Sequence, residues 1–313
     1  ARFKGKGASL IFNSGYQANG GIISALYKRG DAIFSDRLNH ASIIDGMLLS
    51  GARIFRFAHN DPEHLQTLLK KHRSKFSEAL IITETVFSMD GDIPPLKELV
   101  NLKEKYRCKI MVDEAHATGV FGECGSGVVE EEGLNREVDL IMGTFSKALG
   151  SFGAYLACSE EVKKYLINAC RSFIYSTALP PSIIAANLKS LEIIRKESHR
   201  RETLLVNAAA FCKGLKERGL SVKGNSQIVP VIIGQTKRAV KMAEQLKSRG
   251  YWVFPIRPPT VPSGQARLRF SLTYYHSGKL LRQLIEDICE PVSYTHLRAH
   301  ETSLHLVCRL LLE

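Results

Sequence analysis

The chain has 313 residues, of which 44% are hydrophobic and 24% charged, and its formal net charge is +12 at neutral pH. This length and apolar content allow two domains with buried cores, and no run of 18 apolar residues could span a membrane. The basic residues are mixed with acidic ones and lack interleaved aromatic residues, which favours a solvated surface over nucleic-acid binding, although attraction of an anionic substrate remains open.

The cysteine pattern argues against a disulfide framework. Seven cysteines are scattered along the chain, and none forms a C-x-x-C pair. An odd number without metal-site spacing is typical of reduced thiols, so we expect a cytoplasmic protein without a structural zinc site.

The first half of the chain alternates short apolar strands with segments of helical periodicity. Its first βα pairs are "DAIFSD" with "ASIIDGMLLSG", "RIFRF" with "DPEHLQTLLKKH", and "ALIITETVF" with "PLKELVNLKEKY". The strands "KIMVDEAH", "VDLIMGTF" and "AYLACS" follow. This order predicts an α/β fold with a mostly parallel central sheet covered by helices.

A second pattern begins near residue 198. After a long helical region, the strands "IVPVIIG" and "ARLRFSLT" alternate with the helices "KRAVKMAEQLKSRG" and "GKLLRQLIEDI". We therefore predict a large domain over residues 1–197 and a smaller C-terminal α+β domain over residues 198–290.

Residues 291–313 do not continue this pattern. Their sequence, "PVSYTHLRAHETSLHLVCRLLLE", resembles translated adapter or vector sequence, so we interpret it as a non-native tail. His296, His300 and Cys308 lie in it, but their spacing fits no standard metal site, and we predict no metal.

Polar side chains gather where the predicted strands end. Asp113 and His116 follow one apolar strand, and Ser88, His40 and Lys147 follow three others. Each residue alone could be a cap, a turn residue or an exposed side chain. Because the carboxyl ends of parallel strands share one edge of a sheet, the set predicts a site there.

The residue types in this set suit one kind of cofactor. Asn13–Ser14–Gly15 opens a helix, where free N–H groups can bind a phosphate. A buried aspartate can keep a pyridine nitrogen protonated, and a lysine that sheds its proton can attach a carbonyl group covalently. These features together predict pyridoxal 5′-phosphate (PLP) as the cofactor.

Six segments carry a family resemblance. They are "DRLNHASIIDG", "TETVFSMDGDIPPL", "VDEAHATGVFGECGSG", "GTFSKALGSFG", "YSTALPP" and "IRPPTVPSGQARLRFSLT". Over residues 8–288 the chain resembles the α-oxoamine synthases, which are fold-type I PLP-dependent transferases and homodimers.

The resemblance implies roles for individual residues. Lys147 would attach the cofactor and move the α-proton, and His40 would stack on the ring, contact substrate and share in proton transfer. Asp113 would pair with the ring nitrogen, with His116 and Ser88 near the ring's 3′-oxygen. The remaining implied contacts are Gly15, Tyr16 and Thr144 to the phosphate, Ser176 or Thr177 to that of the neighbouring subunit, and Arg269, Thr260 and, more weakly, Arg257 to substrate.

The implied reaction is the decarboxylative condensation of an amino acid with an acyl thioester. The segments "IRPPTVP" and "ARLR" favour the branch that joins L-alanine to pimeloyl-CoA or pimeloyl-acyl carrier protein in biotin biosynthesis. The alternatives are glycine C-acetyltransferase or another α-oxoamine synthase, and a non-catalytic homologue that serves as a subunit of a complex. We expect no nucleic-acid or membrane partner.

The N-terminal segment of the family is not represented before Ala1. That segment contributes to the small domain, the dimer contact and the acyl-substrate entrance in the family. We therefore expect the chain as given to have low activity and reduced stability, even with its cofactor site intact.

Overall fold

The computed structural model describes residues 1–290. Contacts within the chain divide it into two compact units, residues 1–87 with 93–201, and residues 88–92 with 202 onwards. The sequence-based boundary after residue 197 stays a prediction, and nothing in the composition marks 88–92 as part of the second unit. The tail and its His296, His300 and Cys308 lie outside the described residues.

The first unit contains a seven-stranded mixed sheet with the strand order β1-β7-β6-β5-β4-β2-β3. Strands β2 to β6 run parallel, whereas β7 is antiparallel to both β6 and β1. The strands are β1 (Ala8–Phe12), β2 (Ala32–Asp36), β3 (Arg53–Phe57), β4 (Ala79–Glu84), β5 (Lys109–Asp113), β6 (Leu140–Thr144) and β7 (Ala154–Cys158). The predicted α/β fold with a mostly parallel sheet is confirmed.

Helices cover this sheet. Residues of β2, β4, β5, β6 and β7 are buried almost without exception, as expected for strands packed on both faces. The helices are α1 (Gly15–Leu26), α2 (Ala41–Ser50), α3 (Pro62–His72), α4 (Leu96–Lys105), α5 (Val128–Glu131), α6 (Glu160–Ala169), α7 (Arg171–Ile174) and α8 (Pro181–Lys196). Helix α9 (Ser198–Glu217) follows and spans the sequence boundary between the units.

The second unit is built on a small antiparallel sheet with the order β8-β10-β9. Its remaining elements are β8 (Ile228–Gly234), α10 (Thr236–Ser248), β9 (Phe254–Ile256), β10 (Ala266–Ser271) and α11 (Gly278–Cys289). Apolar side chains of α11, among them Leu281 and Leu284, are buried. No helix of residues 1–290 is both long and apolar enough to cross a membrane.

Helices α1 and α2 approach each other closely at Gly46. A Cβ atom at this position would lie 2.8 Å from the carbonyl oxygen of Asn19 and 3.1 Å from the Cα of Gly20. Both neighbouring atoms belong to the backbone of α1, so they cannot move aside without displacing the helix. The close approach brings Asn19 of α1 beside Ser42 of α2, where their side chains form a hydrogen bond of 2.9 Å.

We therefore expect Gly46→Ala to lower the free energy of unfolding by about 1–3 kcal/mol, because the added methyl group overpacks this contact. Gly20→Ala is the matched control, since a Cβ at Gly20 meets no atom within 4 Å. In a helix interior that change should raise stability by about 0.5–1 kcal/mol. Denaturant unfolding measures both, and equal effects of the two substitutions would contradict this packing argument.

Candidate active site

Three residues with buried carboxyl groups, Glu84, Asp113 and Glu114, lie at the carboxyl ends of β4 and β5. Glu84 ends β4, Asp113 ends β5, and Glu114 follows directly; the side chains of all three residues are at most 5% exposed. Glu84 and Asp113 are register partners in the parallel pair. Burying an acidic group is costly unless its charge is neutralised or paired.

Glu114 is neutralised by an ion pair with Lys4. The two side-chain atoms lie 2.5 Å apart, and both side chains are almost fully buried. The second carboxylate oxygen of Glu114 accepts a hydrogen bond of 2.9 Å from the N–H of Val129. Burial acts to lower the pKa of Lys4, but the charges of Glu114 and Tyr155 outweigh it and raise that pKa. Glu114 therefore has a structural role.

The surroundings of Glu84 favour its protonated, neutral form. Burial, and then the charge of Asp113, raise the pKa of Glu84 well above its usual value, although Lys147 acts in the opposite direction. One of its oxygens accepts a hydrogen bond of 2.6 Å from the N–H of His40. Glu84 thus fixes the start of α2 through this hydrogen bond.

Asp113 is held by hydrogen bonds and has no ion pair within the described chain. Its oxygens accept hydrogen bonds from Asn19 Nδ2 at 2.9 Å and from the N–H of Ala115 at 2.8 Å. It forms no ion pair with any residue from 1 to 290, although it is only 5% exposed. A buried carboxylate with donors but without a counter-cation is suited to a positively charged ligand group.

A chain of hydrogen bonds connects Asp113 to His40. The amide nitrogen of Asn19 donates to Asp113 and also to the hydroxyl of Ser42, at 2.9 Å each. Ser42 Oγ lies 2.8 Å from His40 Nδ1, and the Ser42 N–H donates to the same nitrogen. Because Nδ1 accepts, the proton of the neutral imidazole is on Nε2. Sequence reasoning missed Asn19 and Ser42.

Lys147 lies half-buried in the turn that follows β6. The hydroxyl of Thr144 donates to the carbonyl of Gly153 at 2.8 Å and accepts from the N–H of Ser146 at 3.1 Å. The proton of Thr144 is used, so the hydroxyl of Ser146, 2.6 Å away, donates to it. Thr144 therefore shapes the turn that carries Lys147, and its predicted phosphate contact would require it to exchange one of these partners.

His116 is half-buried in the turn after β5, three residues beyond Asp113. The charge of Lys147 acts on Glu84, the register partner of Asp113. The first unit thus brings Lys147, Asp113, His40 and His116 to one edge of its sheet.

The start of α1 is open to a ligand. The side chain of Ser14 caps the helix by accepting from the N–H of Gln17 at 3.1 Å. The N–H groups of Gly15 and Tyr16 have no partner within the helix, and a Cβ on Gly15 would meet only the Cε of Met142, at 3.8 Å. This helix start can receive an anion.

Ser176 and Thr177 lie beside the same helix start. Gln17 donates to the hydroxyl of Ser176, and the side chain of Asn13 donates to the carbonyl of Thr177 at 3.0 Å. Tyr16 is exposed, and its hydroxyl donates to the carboxylate of Asp45.

The other predicted residues belong to the second unit. The carbonyl of Ser88 accepts a hydrogen bond of 2.5 Å from Arg269 Nε. Burial lowers the pKa of Arg269 to about 10. Arg257 and Thr260 are exposed at the two ends of a turn, joined by a hydrogen bond of 3.1 Å from the Thr260 N–H to the Arg257 carbonyl.

We expect Glu84→Gln to stabilise the ligand-free protein at neutral and alkaline pH. A carboxyl group whose folded pKa is raised contributes stability below its unfolded pKa, and this contribution is lost as the pH rises toward the folded pKa. Glutamine keeps the oxygen that accepts from the N–H of His40 but does not ionise. The stability difference in favour of Glu84→Gln therefore grows by about 1.4 kcal/mol per pH unit, from pH ~4.5 up to the folded pKa of Glu84. Denaturant unfolding between pH 5 and 9 measures it, and a pH-independent difference would contradict a protonated Glu84.

Comparison of the sequence with known proteins finds a matching family and similar proteins. The family described as "Aminotransferase class I and II" matches residues 1–288. The putative 8-amino-7-oxononanoate synthase of Halalkalibacterium halodurans is 49% identical over 287 residues, which cover 91% of this chain and 72% of the relative. The 8-amino-7-oxononanoate synthase of Geobacter sulfurreducens is 49% identical over 288 residues, covering 91% and 73%.

Solved structures give the same grouping. A serine palmitoyltransferase of Sphingomonas wittichii superposes with a TM-score of 0.88 at 36% identity, over 92% of this chain and 73% of the other. The 8-amino-7-oxononanoate synthase of Francisella tularensis superposes with a TM-score of 0.81 at 32% identity, over 92% and 83%.

Proposed function

Because the chain belongs to the aminotransferase class I and II family, we propose that it condenses L-alanine with a pimeloyl thioester and releases 8-amino-7-oxononanoate, carbon dioxide and a free thiol. The thioester is that of CoA or of acyl carrier protein, and the product serves biotin biosynthesis. The chain has the fold of the fold-type I transferases, and its cofactor is PLP. The single observation that carries the site assignment is the buried carboxylate of Asp113, which has two donors but no counter-cation.

The residues present fit PLP. A protonated pyridine nitrogen is the cation that Asp113 lacks, and the open start of α1 at Gly15 and Tyr16 suits a phosphate. In this proposal Lys147 would attach the cofactor, His40 would contact its ring, and His116 and Ser88 would contact its 3′-oxygen. Bound there, PLP supplies an electron sink for the electron pair left on the amino acid's α-carbon.

The side chains at the sheet edge handle the protons. The Nζ atom of Lys147, once neutral, takes the α-proton of alanine. His40 carries its proton on Nε2, because Ser42 occupies Nδ1, and it can therefore donate to a substrate oxygen. Glu84 holds the backbone of His40, and its raised pKa favours the neutral form beside Asp113.

Arg269 binds the carboxylate of the amino acid in this proposal. Its guanidinium makes one hydrogen bond, from Nε, and no ion pair within the described chain. A guanidinium without a protein carboxylate can form a bidentate pair with a substrate carboxylate. Thr260 and Arg257, exposed in the same unit, are proposed as further substrate contacts.

We also propose a homodimer. Several large apolar side chains of the first unit are exposed, including Leu48 and Leu49 of α2 and Tyr175 after α7. A partner subunit could cover them, and Ser176 or Thr177 would reach that partner's phosphate.

Turnover assays distinguish the substrates. We expect product from L-alanine with pimeloyl-CoA or pimeloyl-acyl carrier protein, and at least about tenfold less from glycine with acetyl-CoA or from L-serine with palmitoyl-CoA, because pocket contacts discriminate by about 1–3 kcal/mol. The serine arm is included because of the superposition on serine palmitoyltransferase. Turnover confined to one of the other pairs would reject our substrate assignment, and failure with every pair would contradict the proposed activity for this chain.

Lys147→Ala should abolish the visible absorbance band of lysine-bound cofactor and lower turnover by at least about 10²–10⁴-fold, the usual contribution of a proton-transfer group. The control is Lys189→Ala, which removes an exposed lysine of α8 paired with Glu192. Spectra of the purified variants after incubation with PLP provide the measurement. An unchanged band in Lys147→Ala would refute the assignment of this lysine.

A further inference from the structure

Two arginines of β10, Arg267 and Arg269, project from the same face of the strand but have opposite environments. Residues two apart in a strand share a face, so the motif "ARLR" does not distinguish them. Arg267 is 1% exposed, and its Nη1 lies 2.5 Å from the carboxylate of Asp90. Arg269 forms no ion pair with any of residues 1–290.

Arg267 binds the segment 88–92, which belongs to the same unit. Its Nη1 also donates to the carbonyl of Met89 at 3.1 Å. Burial acts to raise the pKa of Asp90, but the charge and hydrogen bond of Arg267 outweigh this and lower that pKa. Lys223 lies 3.3 Å from the same carboxylate on the exposed side.

The far end of the segment is also fixed. The carbonyl of Gly91 accepts hydrogen bonds from the Ser226 hydroxyl at 2.7 Å and from the Asn225 N–H at 3.1 Å. Gly91 has a φ of 65°, and a Cβ there would lie 2.2 Å from the carbonyl oxygen of Ile228. Only glycine permits this approach, so segment 88–92 is held along its length.

Arg269 meets the beginning of this segment. Its Nε donates to the carbonyl of Ser88 at 2.5 Å, and no hydrogen bond is formed by Nη1 or Nη2 within the described residues. The carbonyl of Ser88 therefore occupies Nε of Arg269 and leaves Nη1 and Nη2 for a ligand. A guanidinium held at Nε is oriented for a planar acceptor such as a carboxylate.

We propose that Arg267 and Asp90 form a positioning pair that anchors Ser88 against Arg269 and so orients its guanidinium toward the substrate carboxylate. The inference rests on the proposed function in one respect, namely that Arg269 binds the carboxylate of the amino acid. Arg267 acts through Arg269 and touches no reacting atom. The pair therefore determines how strongly the protein prefers an amine that carries a carboxylate.

The test compares L-alanine with L-alaninol, which has the same amine and methyl group but no carboxylate. Dissociation constants for both are measured on the PLP-loaded full chain from the change in cofactor absorbance. We expect the unaltered protein to prefer alanine and Arg269→Met to lose that preference. Arg267→Met should weaken alanine binding by about tenfold or more while leaving alaninol binding within about twofold, because charged hydrogen bonds contribute over 1.4 kcal/mol each.

Two further variants complete the test. In the Arg269→Met background, Arg267→Met should weaken alanine binding no further, because the two residues act as one unit. Arg267→Lys keeps a positive charge opposite Asp90 and so retains the buried ion pair, but it loses the planar guanidinium with its fixed donors. We expect it to shift the ratio of the alanine and alaninol dissociation constants in the same direction as Arg267→Met. Arg249→Met, which breaks the pair with Asp287 in the same unit, should leave the ratio unchanged.

The proposal is overturned if Arg267→Met and Arg267→Lys keep the ratio of the unaltered protein, or if they weaken both ligands equally, which would indicate only a structural role. Failure of the proposed function is seen separately. If the unaltered protein binds glycine or serine in place of alanine, our substrate assignment is wrong, and the pair is tested on glycine against ethanolamine or serine against serinol.

Discussion

The candidate site in the first unit depends on one buried carboxylate, that of Asp113. The pKa of the neighbouring Glu84 is raised, which favours its neutral form, and Glu114, the next residue in the chain, is paired with Lys4. Asp113 itself forms no ion pair with any of residues 1–290. Two buried donors orient it, and one of them, Asn19, is held in place by the close approach of α1 and α2 at Gly46. In our proposal, this oriented carboxylate binds the cationic ring of the cofactor.

The second unit also places two groups of like charge close together, but here the charges are positive. Two guanidinium groups lie on one face of β10, and a single carboxylate, that of Asp90, serves the more buried one. Arg269 keeps its charge available, because within residues 1–290 its guanidinium forms a hydrogen bond only to a carbonyl oxygen. In both units, the group assigned to ligand binding stands beside a chemically similar group that the protein itself has neutralised.

Much of this could be predicted from the sequence, for identifiable reasons. Strands β2 to β6 and the positions of Lys147 and Asp113 follow from apolar runs that end in polar residues. Strand β1 was not predicted because "ASLIF" is short and the antiparallel edge has no periodic signal of its own. Asn19 was missed because its partner lies 94 residues away, and Glu84 because burial and not spacing determines its protonation. A glutamate inside the apolar run "ALIITETVF" was a signal that could have been used.

The assignment of residues 88–92 to the second unit has a consequence for how such a protein can be divided or recombined. The unit is discontinuous in sequence, so a fragment that begins after residue 201 would leave Arg267 buried without Asp90 and β8 without its contact at Gly91. Exchange of C-terminal regions between relatives would join a strand from one parent to an anchoring segment from the other. The two segments therefore have to remain compatible with each other, although more than 100 residues separate them in the chain.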